Sequence, residues 1–363
     1  MLRLFALLLL LPLSLPTWAG RHTENLILIT LDGVRIQEFF SGMDPLLADS
    51  AAKRGISEDE IVRERYWRET PEQRREALMP FFWKTLAPLG VVLGNPARGS
   101  SVQVSNTIRW STPGYSEIMT GEAHPEVRDN TPVRYPHRTF PEFLVSELKL
   151  GKSAVAQIGS WDGFKMAASS TDDAFFMNGA YEAVPGNLST PEMDTLTGLR
   201  ADVMELWEES SNDVLSFRLA QAYLEKHHPR FLWLGLGQSD DWSHADRYDR
   251  LLDYLHLADR LIGELWSTLQ ADPAYRGKTS LVITTDHGRG LTPGNWIDHD
   301  ATIPNSENIW LAVIGPDTPR RGELGPLPTV YQRDIAATVI SLYGLDPARF
   351  NPRAGAPIAA VLE

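Results

Sequence analysis

The strongest constraint on the fold of this chain is a series of short apolar runs, each of which ends in polar residues or glycine. The runs cover residues 26–31, 154–158, 231–236, 281–284 and 310–314. Such runs are typical of strands that are buried on both faces of a largely parallel sheet. Helical patterns lie between them, among them 251–269 and 334–342. This alternation predicts an α/β fold with a doubly wound, mostly parallel sheet and helices on both faces.

Two segments interrupt the alternation. Residues 44–98 are rich in arginine and glutamate, show helical stretches and contain no clear strand. We interpret them as a small helical cap inserted after the first strand. Residues 171–198, which include Pro185 and Pro191, are expected to form a long loop. Residues 20–363 as a whole are expected to form a single domain that includes the cap.

Residues 1–19 have the composition of a secretory signal. Arg3 precedes a nearly continuous apolar run, and Thr17 and Ala19 supply the small residues that precede a cleavage site. We expect cleavage after Ala19 and export to the periplasm or the exterior. An uncleaved anchor is the alternative, although the run is shorter than the ~20 apolar residues of a membrane helix. No stable membrane span is expected after cleavage, because no later stretch is long and apolar enough.

The overall charge argues against one class of partner. The chain carries 47 acidic and 34 basic residues, which gives a net charge of −13. A nucleic-acid-binding protein would present a basic face, so no nucleic-acid partner is expected. A small phosphorylated substrate remains compatible, because bound metal ions reverse the local charge of an acidic site. The chain has no cysteine, so its fold depends on the core rather than on disulfides. The sequence leaves the oligomeric state open.

Potential metal ligands follow the first and third apolar runs. Asp32 comes directly after the first run and is followed by glycine. Asp240 and His244 follow the third run with the i, i+4 spacing that brings two side chains to one side of a helical turn. Taken alone, an Asp-Gly pair is typical of a turn. The segment 240–244 is equally compatible with the solvated, acidic start of a helix.

The most specific motif follows the fourth run. Asp286 and His287 come at the end of a predicted strand, and Gly288 would permit the sharp turn that lets both side chains bind one ion. His299 lies in the segment before the last run, where a single histidine is normally a surface residue. His299 becomes a candidate ligand only in combination with the other motifs. Those motifs follow predicted strands, and ligands in open α/β sheets bind at the carboxyl ends of the strands.

Together these six residues supply the oxygen and imidazole ligands that suit zinc. The remaining six histidines lack such settings, and we interpret them as surface or packing residues: His22, His124, His137, His227, His228 and His256.

The order and spacing of the ligands resemble those of the alkaline phosphatase superfamily, in particular its nucleotide pyrophosphatase/phosphodiesterase and phosphoglycerate mutase-like branches. The resemblance covers residues 26–345, and residues 106–121, NTIRWSTPGYSEIMTG, resemble the nucleophile block of the phosphodiesterase branch. In that branch a hydroxyl residue stands two positions before a proline and Thr-Gly closes the block. Pro113 and Thr120 fit this spacing and place the nucleophile at Ser111, where the branch usually carries threonine.

The resemblance implies a hydrolase of phosphate esters that uses two divalent metal ions, zinc or alternatively manganese or iron. The implied ligands form two sets: Asp240, His244 and His299 for one ion, and Asp32, Asp286, His287 and Ser111 for the other. Ser111 would attack phosphorus and form a phosphoserine, which water would then hydrolyse. Asn130 and the Thr112 N–H would hold the non-bridging oxygens. Further residues near the motifs are candidates to contact the substrate: Trp110, Tyr115, Trp161, Trp242, Arg109, Lys165 and Arg289.

Other functions remain open on the same scaffold. A sulfatase or phosphonate hydrolase is one, although sulfatases carry an arginine two residues after the proline, where this chain has Tyr115. A phosphoryl transferase or mutase is another, although these enzymes usually have membrane spans or a large second domain. A non-catalytic metal-binding relative would keep the ligands without turnover.

Overall fold

The computed structural model describes residues 21–55 and 59–362 of the chain. The expected signal segment, residues 1–19, lies outside the described residues. Within the described ranges, no helix combines the length and the apolar composition that crossing a membrane requires.

The strands of the described residues form an eight-stranded sheet in the order β10-β2-β9-β7-β1-β6-β4-β5 and a three-stranded sheet in the order β11-β3-β8. Their bounds are β1 (Asn25–Leu31), β2 (Gly90–Leu93), β3 (Val102–Gln103), β4 (Val155–Gly159), β5 (Phe176–Asn178), β6 (Phe231–Leu236), β7 (Thr279–Thr284), β8 (Asn308–Ile309), β9 (Leu311–Ile314), β10 (Gly322–Glu323) and β11 (Val330–Tyr331). In the large sheet β9 alone runs antiparallel to its neighbours, β7 and β2.

The helices of the described residues are α1 (Ile36–Ser41), α2 (Pro45–Lys53), α3 (Asp59–Tyr66), α4 (Pro71–Leu78), α5 (Ser111–Thr120), α6 (Phe140–Glu147), α7 (Asp162–Ala168), α8 (Pro191–Asp202), α9 (Asp213–His227), α10 (Gln238–His244), α11 (Tyr248–Ala271) and α12 (Asp334–Leu342). Helix α6 begins at a capping box, in which the Thr139 N–H donates to Oε2 of Glu142 at 2.7 Å.

Both faces of the large sheet are buried, which explains why its central strands are mostly apolar on both faces. Successive side chains of a strand point to opposite faces. Along β1, Ile27 and Ile29 belong to a core that includes residues of α9 and α11, whereas Leu26 and Leu28 belong to a second core with residues of α5, α6 and α12. Helices therefore cover both faces, and the predicted doubly wound α/β architecture is confirmed.

The five predicted strands correspond to β1, β4, β6, β7 and β9, but two segments differ from their predictions. Residues 44–98 contain helices α2, α3 and α4, which pack against α11, and also strand β2, which is buried between β9 and β10. The expectation that this segment has no strand was wrong. Residues 171–198 are not a single loop, because β5 pairs with β4 and α8 begins at Pro191 with Thr190 as its N-cap. The Thr-Pro pair is itself a helix start signal.

Candidate metal centre

Three neighbouring strands bring most of the predicted ligands together. Strands β6, β1 and β7 are adjacent and parallel, so their carboxyl ends lie at one edge of the sheet. Asp32 follows β1 directly, and Asp286 lies two residues after the end of β7. Asp240 and His244 lie on α10, which follows β6 after one residue. His299 reaches the same edge from the irregular segment that precedes β8.

Asp240, His244 and His299 form the first group of side chains. Nε2 of His244 lies 3.2 Å from Oδ2 of Asp240 and 3.2 Å from Nε2 of His299. Nε2 of His299 lies 3.9 Å from Oδ1 of Asp240. These separations suit a single cation, because ligand atoms bonded at about 2.0–2.2 Å lie roughly 3–4 Å from one another.

Asp32, Ser111, Asp286 and His287 form the second group. Nε2 of His287 lies 3.4 Å from Oδ1 of Asp32, 3.3 Å from Oδ2 of Asp286 and 3.4 Å from Oγ of Ser111. All four residues are buried. The Ser111 hydroxyl therefore lies beside the carboxylate and imidazole atoms that can bind a cation.

The two groups are contiguous. Nε2 of His287 lies 3.9 Å from Oδ1 of Asp240, so the Asp240 carboxylate lies between the groups. The rings of His287 and His299 stack with their centroids 3.7 Å apart. The structure thus brings all seven predicted ligand side chains into one cluster at the carboxyl edge of the sheet.

Backbone carbonyls orient two of the histidines. Nδ1 of His287 lies 3.1 Å from the Gly288 oxygen, and Nδ1 of His299 lies 2.8 Å from the Arg109 oxygen. A carbonyl only accepts, so each Nδ1 carries the proton and each Nε2 keeps the lone pair that a metal ion requires. Gly288 does not have a positive φ. A Cβ there would lie 2.3 Å from the Asn308 oxygen, so close backbone packing explains the glycine.

The charge balance of the second group fits a divalent cation. Oδ1 of Asp32 and Oδ2 of Asp286 are buried and have no hydrogen-bond donor, a state that costs about 1–3 kcal/mol for each group. Burial raises the pKa of Asp286 to about 7, and burial and the Asp286 charge raise the pKa of Asp32. Burial lowers the pKa of His287 to about 4. Carboxylates that repel one another beside neutral imidazoles gain most from a bound cation.

The local structure around Ser111 favours negative charge at its hydroxyl. Ser111 is the first residue of α5, and the N-terminus of a helix carries a partial positive charge. Glu117, buried in the same helix, accepts hydrogen bonds from the N–H groups of Ser105 and Asn106 at 2.8 Å each. Arg109, whose carbonyl accepts the hydrogen bond from Nδ1 of His299, has a φ of 62° that is uncommon outside glycine. These contacts fix the chain that leads to the serine.

Asn130 lies beside the residue that follows Ser111. Its Oδ1 accepts a hydrogen bond from the Thr112 N–H at 2.9 Å. In this conformation the Thr112 N–H is therefore already engaged, so its expected contact with a substrate oxygen stays a prediction. The Nδ2 group of Asn130 is the donor that remains.

Two buried residues contact the ligands in ways that the motifs do not indicate. The Tyr115 hydroxyl donates to Oδ2 of Asp32 at 2.9 Å, so Tyr115 supports a ligand and does not stack on a substrate. Arg289 is 1% exposed, donates to the Ile297 oxygen and pairs with Asp240. A fixed positive charge therefore adjoins the first group. Two other charged candidates pair elsewhere: Arg109 with Glu307, and Lys165 with Glu182.

Gly33 provides the space in which the two groups meet. It has a φ of 62°, and a Cβ there would lie 2.7 Å from Oδ1 of Asp240, 2.8 Å from Nε of Arg289 and 3.1 Å from Cε1 of His287. We expect Gly33→Ala to displace these side chains and to weaken zinc binding by at least about 10-fold, as measured by titration calorimetry. Gly277→Ala is the matched control, because Gly277 has a φ of 72° and no atom within 4 Å of its Cβ position. Equal zinc affinity in both variants would contradict this assignment.

The fold and the clustered side chains define an α/β protein with a candidate centre for divalent cations at the carboxyl edge of its sheet. Three solved structures share this fold. Lipoteichoic acid synthase LtaP from Listeria monocytogenes has a TM-score of 0.57 at 14% identity, over 91% of this chain and 74% of that chain. Phosphonate monoester hydrolase SpPMH from Silicibacter pomeroyi has a TM-score of 0.55 at 13% identity, over 93% and 76%.

The third is a protein of the alkaline phosphatase superfamily from Vibrio parahaemolyticus, with a TM-score of 0.52 at 14% identity, over 94% of this chain and 71% of that chain. Sulfatases are also among the similar structures. No family model and no curated protein sequence matches the chain. The chain therefore has the fold of the alkaline phosphatase superfamily, and the resemblance drawn from its motifs is confirmed at the level of the fold.

Proposed function

We propose that this protein is an exported two-metal hydrolase of phosphate esters with Ser111 as its nucleophile. The observation that carries the proposal is the position of the Ser111 hydroxyl. Ser111 lies at the N-terminus of α5, and its hydroxyl lies 3.4 Å from Nε2 of His287. A hydroxyl in that position adjoins a set of oxygen and imidazole ligands of the kind that zinc prefers. Manganese and iron are the alternatives. Export is proposed from the composition of residues 1–19.

We assign the proposed ligands to two ions according to the distances between their ligand atoms. Asp240, His244 and His299 would bind one ion, and Asp32, Asp286, His287 and Ser111 would bind the other. Two bound ions would lower the pKa of the serine hydroxyl and neutralise charge on the reacting phosphate.

The protein's own groups then perform the remaining steps. Oγ of Ser111 attacks phosphorus, the bond from phosphorus to the leaving oxygen breaks, and a phosphoserine forms. Water hydrolyses that ester in a second displacement and releases phosphate. The N-terminus of α5 stabilises negative charge on the phosphate oxygens. Nδ2 of Asn130 donates to one non-bridging oxygen.

A substrate panel tests the proposed reaction. Purified protein loaded with zinc should hydrolyse nitrophenyl phosphate monoesters or diesters at a rate that falls when a chelator removes the metal and returns when zinc is added. The same sample should contain at least two metal ions per chain. A preparation with full metal content and no activity on either ester class would contradict the phosphate ester assignment.

The Asn130 amide should contribute to turnover and not to metal binding. Asn130→Asp keeps an oxygen that accepts from the Thr112 N–H but removes the only side-chain donor. We expect kcat to fall by about 10²-fold, the usual effect of losing one donor to the transition state, with unchanged zinc content. The exposed loop substitution Asn187→Asp serves as a control for the added charge. A kcat for Asn130→Asp within a factor of two of the control would show that the amide does not contact the substrate.

A sulfatase is the second candidate, because sulfatases share the fold. Sulfatases convert the nucleophile to formylglycine, and the arginine of their recognition motif is replaced here by Tyr115, which is buried against Asp32. Mass spectrometry of the Ser111 peptide distinguishes the two. An unmodified serine supports phosphate chemistry, and formylglycine supports a sulfatase.

A further inference from the structure

A third cluster of potential metal ligands lies outside the centre described above. His124, Glu126 and His137 each offer one ligand atom, and the three atoms lie within 4.8 Å of one another. Nε2 of His137 lies 2.6 Å from Oε1 of Glu126. The two imidazole rings are parallel, with centroids 3.6 Å apart. Two imidazoles and one carboxylate are a common ligand set for zinc.

A hydrogen bond fixes the tautomer of His124. Its Nε2 lies 2.9 Å from Oγ1 of Thr120, and that hydroxyl donates its only proton to the Ser116 oxygen at 2.7 Å. Nε2 of His124 is therefore the donor, and Nδ1 keeps a free lone pair. Burial and the neighbouring His137 lower the pKa of His124, a direction that favours the neutral ring. Orientation of one ring nitrogen by a hydrogen bond from the other is typical of metal-binding histidines.

We propose that His124, Glu126 and His137 bind a further divalent cation of the zinc class, at a site that shares no residue with the candidate catalytic centre. A tetrahedral zinc ion holds its ligand atoms about 3.3 Å apart, and the lone pair of an imidazole lies in the plane of its ring. Binding therefore requires the His137 ring to turn out of its stack with His124 and its contact with Glu126 to lengthen. The His137 and Glu126 side chains are 23% and 53% exposed, so both have room to move. A water molecule would complete the four ligands.

The position of the cluster gives the ion a structural role. Residues 121–139, all of which the structure describes, contain no helix or strand and connect α5 to α6. His124 lies near the start of this segment and His137 near its end, so a shared ion would close the loop and reduce its conformational freedom. Asn130 lies between them and contacts Thr112. The ion would thereby hold the loop that positions Asn130. The role of Asn130 rests on the proposed function, but the metal site itself does not rest on it.

Zinc content tests the site directly. The full chain and the double variant His124→Ala/His137→Ala are each loaded with excess zinc, dialysed and analysed by mass spectrometry for metal per chain. We expect the variant to contain one equivalent less than the wild type. His228→Ala is the matched control, because His228 also pairs with a carboxylate, Asp272, at 2.9 Å, but belongs to no group of three candidate ligands in the described residues. Equal zinc content in the wild type and the double variant would overturn the proposal.

A second variant keeps the test decisive if the double variant does not fold. Glu126→Gln replaces a half-exposed carboxylate with an amide of the same size, so folding should be unaffected. We expect calorimetry to show one zinc site whose Kd is at least 10-fold higher than in the wild type. No change in any zinc Kd would overturn the proposal. Both measurements compare variants with the wild type. If the candidate catalytic centre bound no metal, the zinc content would still fall from one equivalent per chain in the wild type to none in the double variant.

Discussion

Ser111→Ala is expected to lower kcat for nitrophenyl phosphate hydrolysis by at least about 10⁴-fold, because loss of the nucleophile removes the covalent route entirely. The Ser111 hydroxyl lies 3.4 Å from Nε2 of His287, and the six other proposed ligands belong to the same cluster. Removal of one oxygen should therefore leave zinc content close to that of the wild type. Steady-state kinetics and metal analysis on the same preparation measure the two effects.

The matched control for this prediction is Ser116→Ala. Ser116 is also a buried serine of α5, but it is not among the proposed ligands. Its variant should keep a kcat within a few-fold of the wild type. Turnover by Ser111→Ala at the level of the Ser116→Ala control would remove Ser111 from the proposed mechanism, even if the metal centre itself were intact.

Asp286→Asn is expected to weaken zinc binding at the second group by more than about 100-fold, and to abolish turnover at limiting zinc. Loss of even an indirect supporting contact typically costs 10–100-fold in metal affinity, and Asp286 is proposed as a direct ligand. The amide keeps an oxygen that can accept from the Gly33 N–H, which donates to Oδ1 of Asp286 at 3.0 Å. The fold should therefore survive. Calorimetric titration with zinc measures the change in affinity.

Asp259→Asn controls for the removal of a buried carboxylate. Asp259 is 1% exposed and accepts hydrogen bonds from the N–H groups of Phe81 and Phe82 at 2.7 Å each, away from the metal centre. Burial raises its pKa to about 6, and the substitution removes a buried carboxylate and its charge, as Asp286→Asn does. This variant should bind zinc as the wild type does. An equal loss of affinity in both variants would indicate a general folding effect.

Much of the fold was predictable because a strand buried on both faces is mostly apolar. That signal predicts β1, β4, β6 and β7 from short apolar runs in which polar residues such as Thr30 and Gln157 are few. It failed for β2, which has four residues and directly follows a helical segment. A run of that length shows no period that separates a strand from the end of a helix.

The candidate ligands were predictable for a different reason. Asp32, Asp240 and Asp286 each stand at or just beyond the end of a strand, and parallel strands collect their carboxyl ends at one edge. The contacts made by Tyr115 and Arg289 carry no such local signal. Tyr115 lies 83 residues from Asp32 in sequence, and Arg289 lies 49 residues from Asp240. Only the folded arrangement of the strands shows that these side chains meet.

The interpretation of His124 and His137 as ordinary surface or packing residues shows the same limit. Neither residue borders a strand, and the irregular segment between them has no periodic pattern. Their rings stack because that segment turns back on itself beside α5. Sequence spacing alone does not indicate such a return, so only the folded structure shows that these side chains meet.

A crystal structure of the zinc-loaded protein, with anomalous data collected at the zinc edge, tests the proposed metal centre most directly. At this centre we expect two anomalous peaks about 3.5–4 Å apart, one among Asp240, His244 and His299 and the other among Asp32, Asp286, His287 and the Ser111 oxygen, apart from any peak at the site of His124, Glu126 and His137. An absence of anomalous density at both groups in crystals that contain zinc would contradict it.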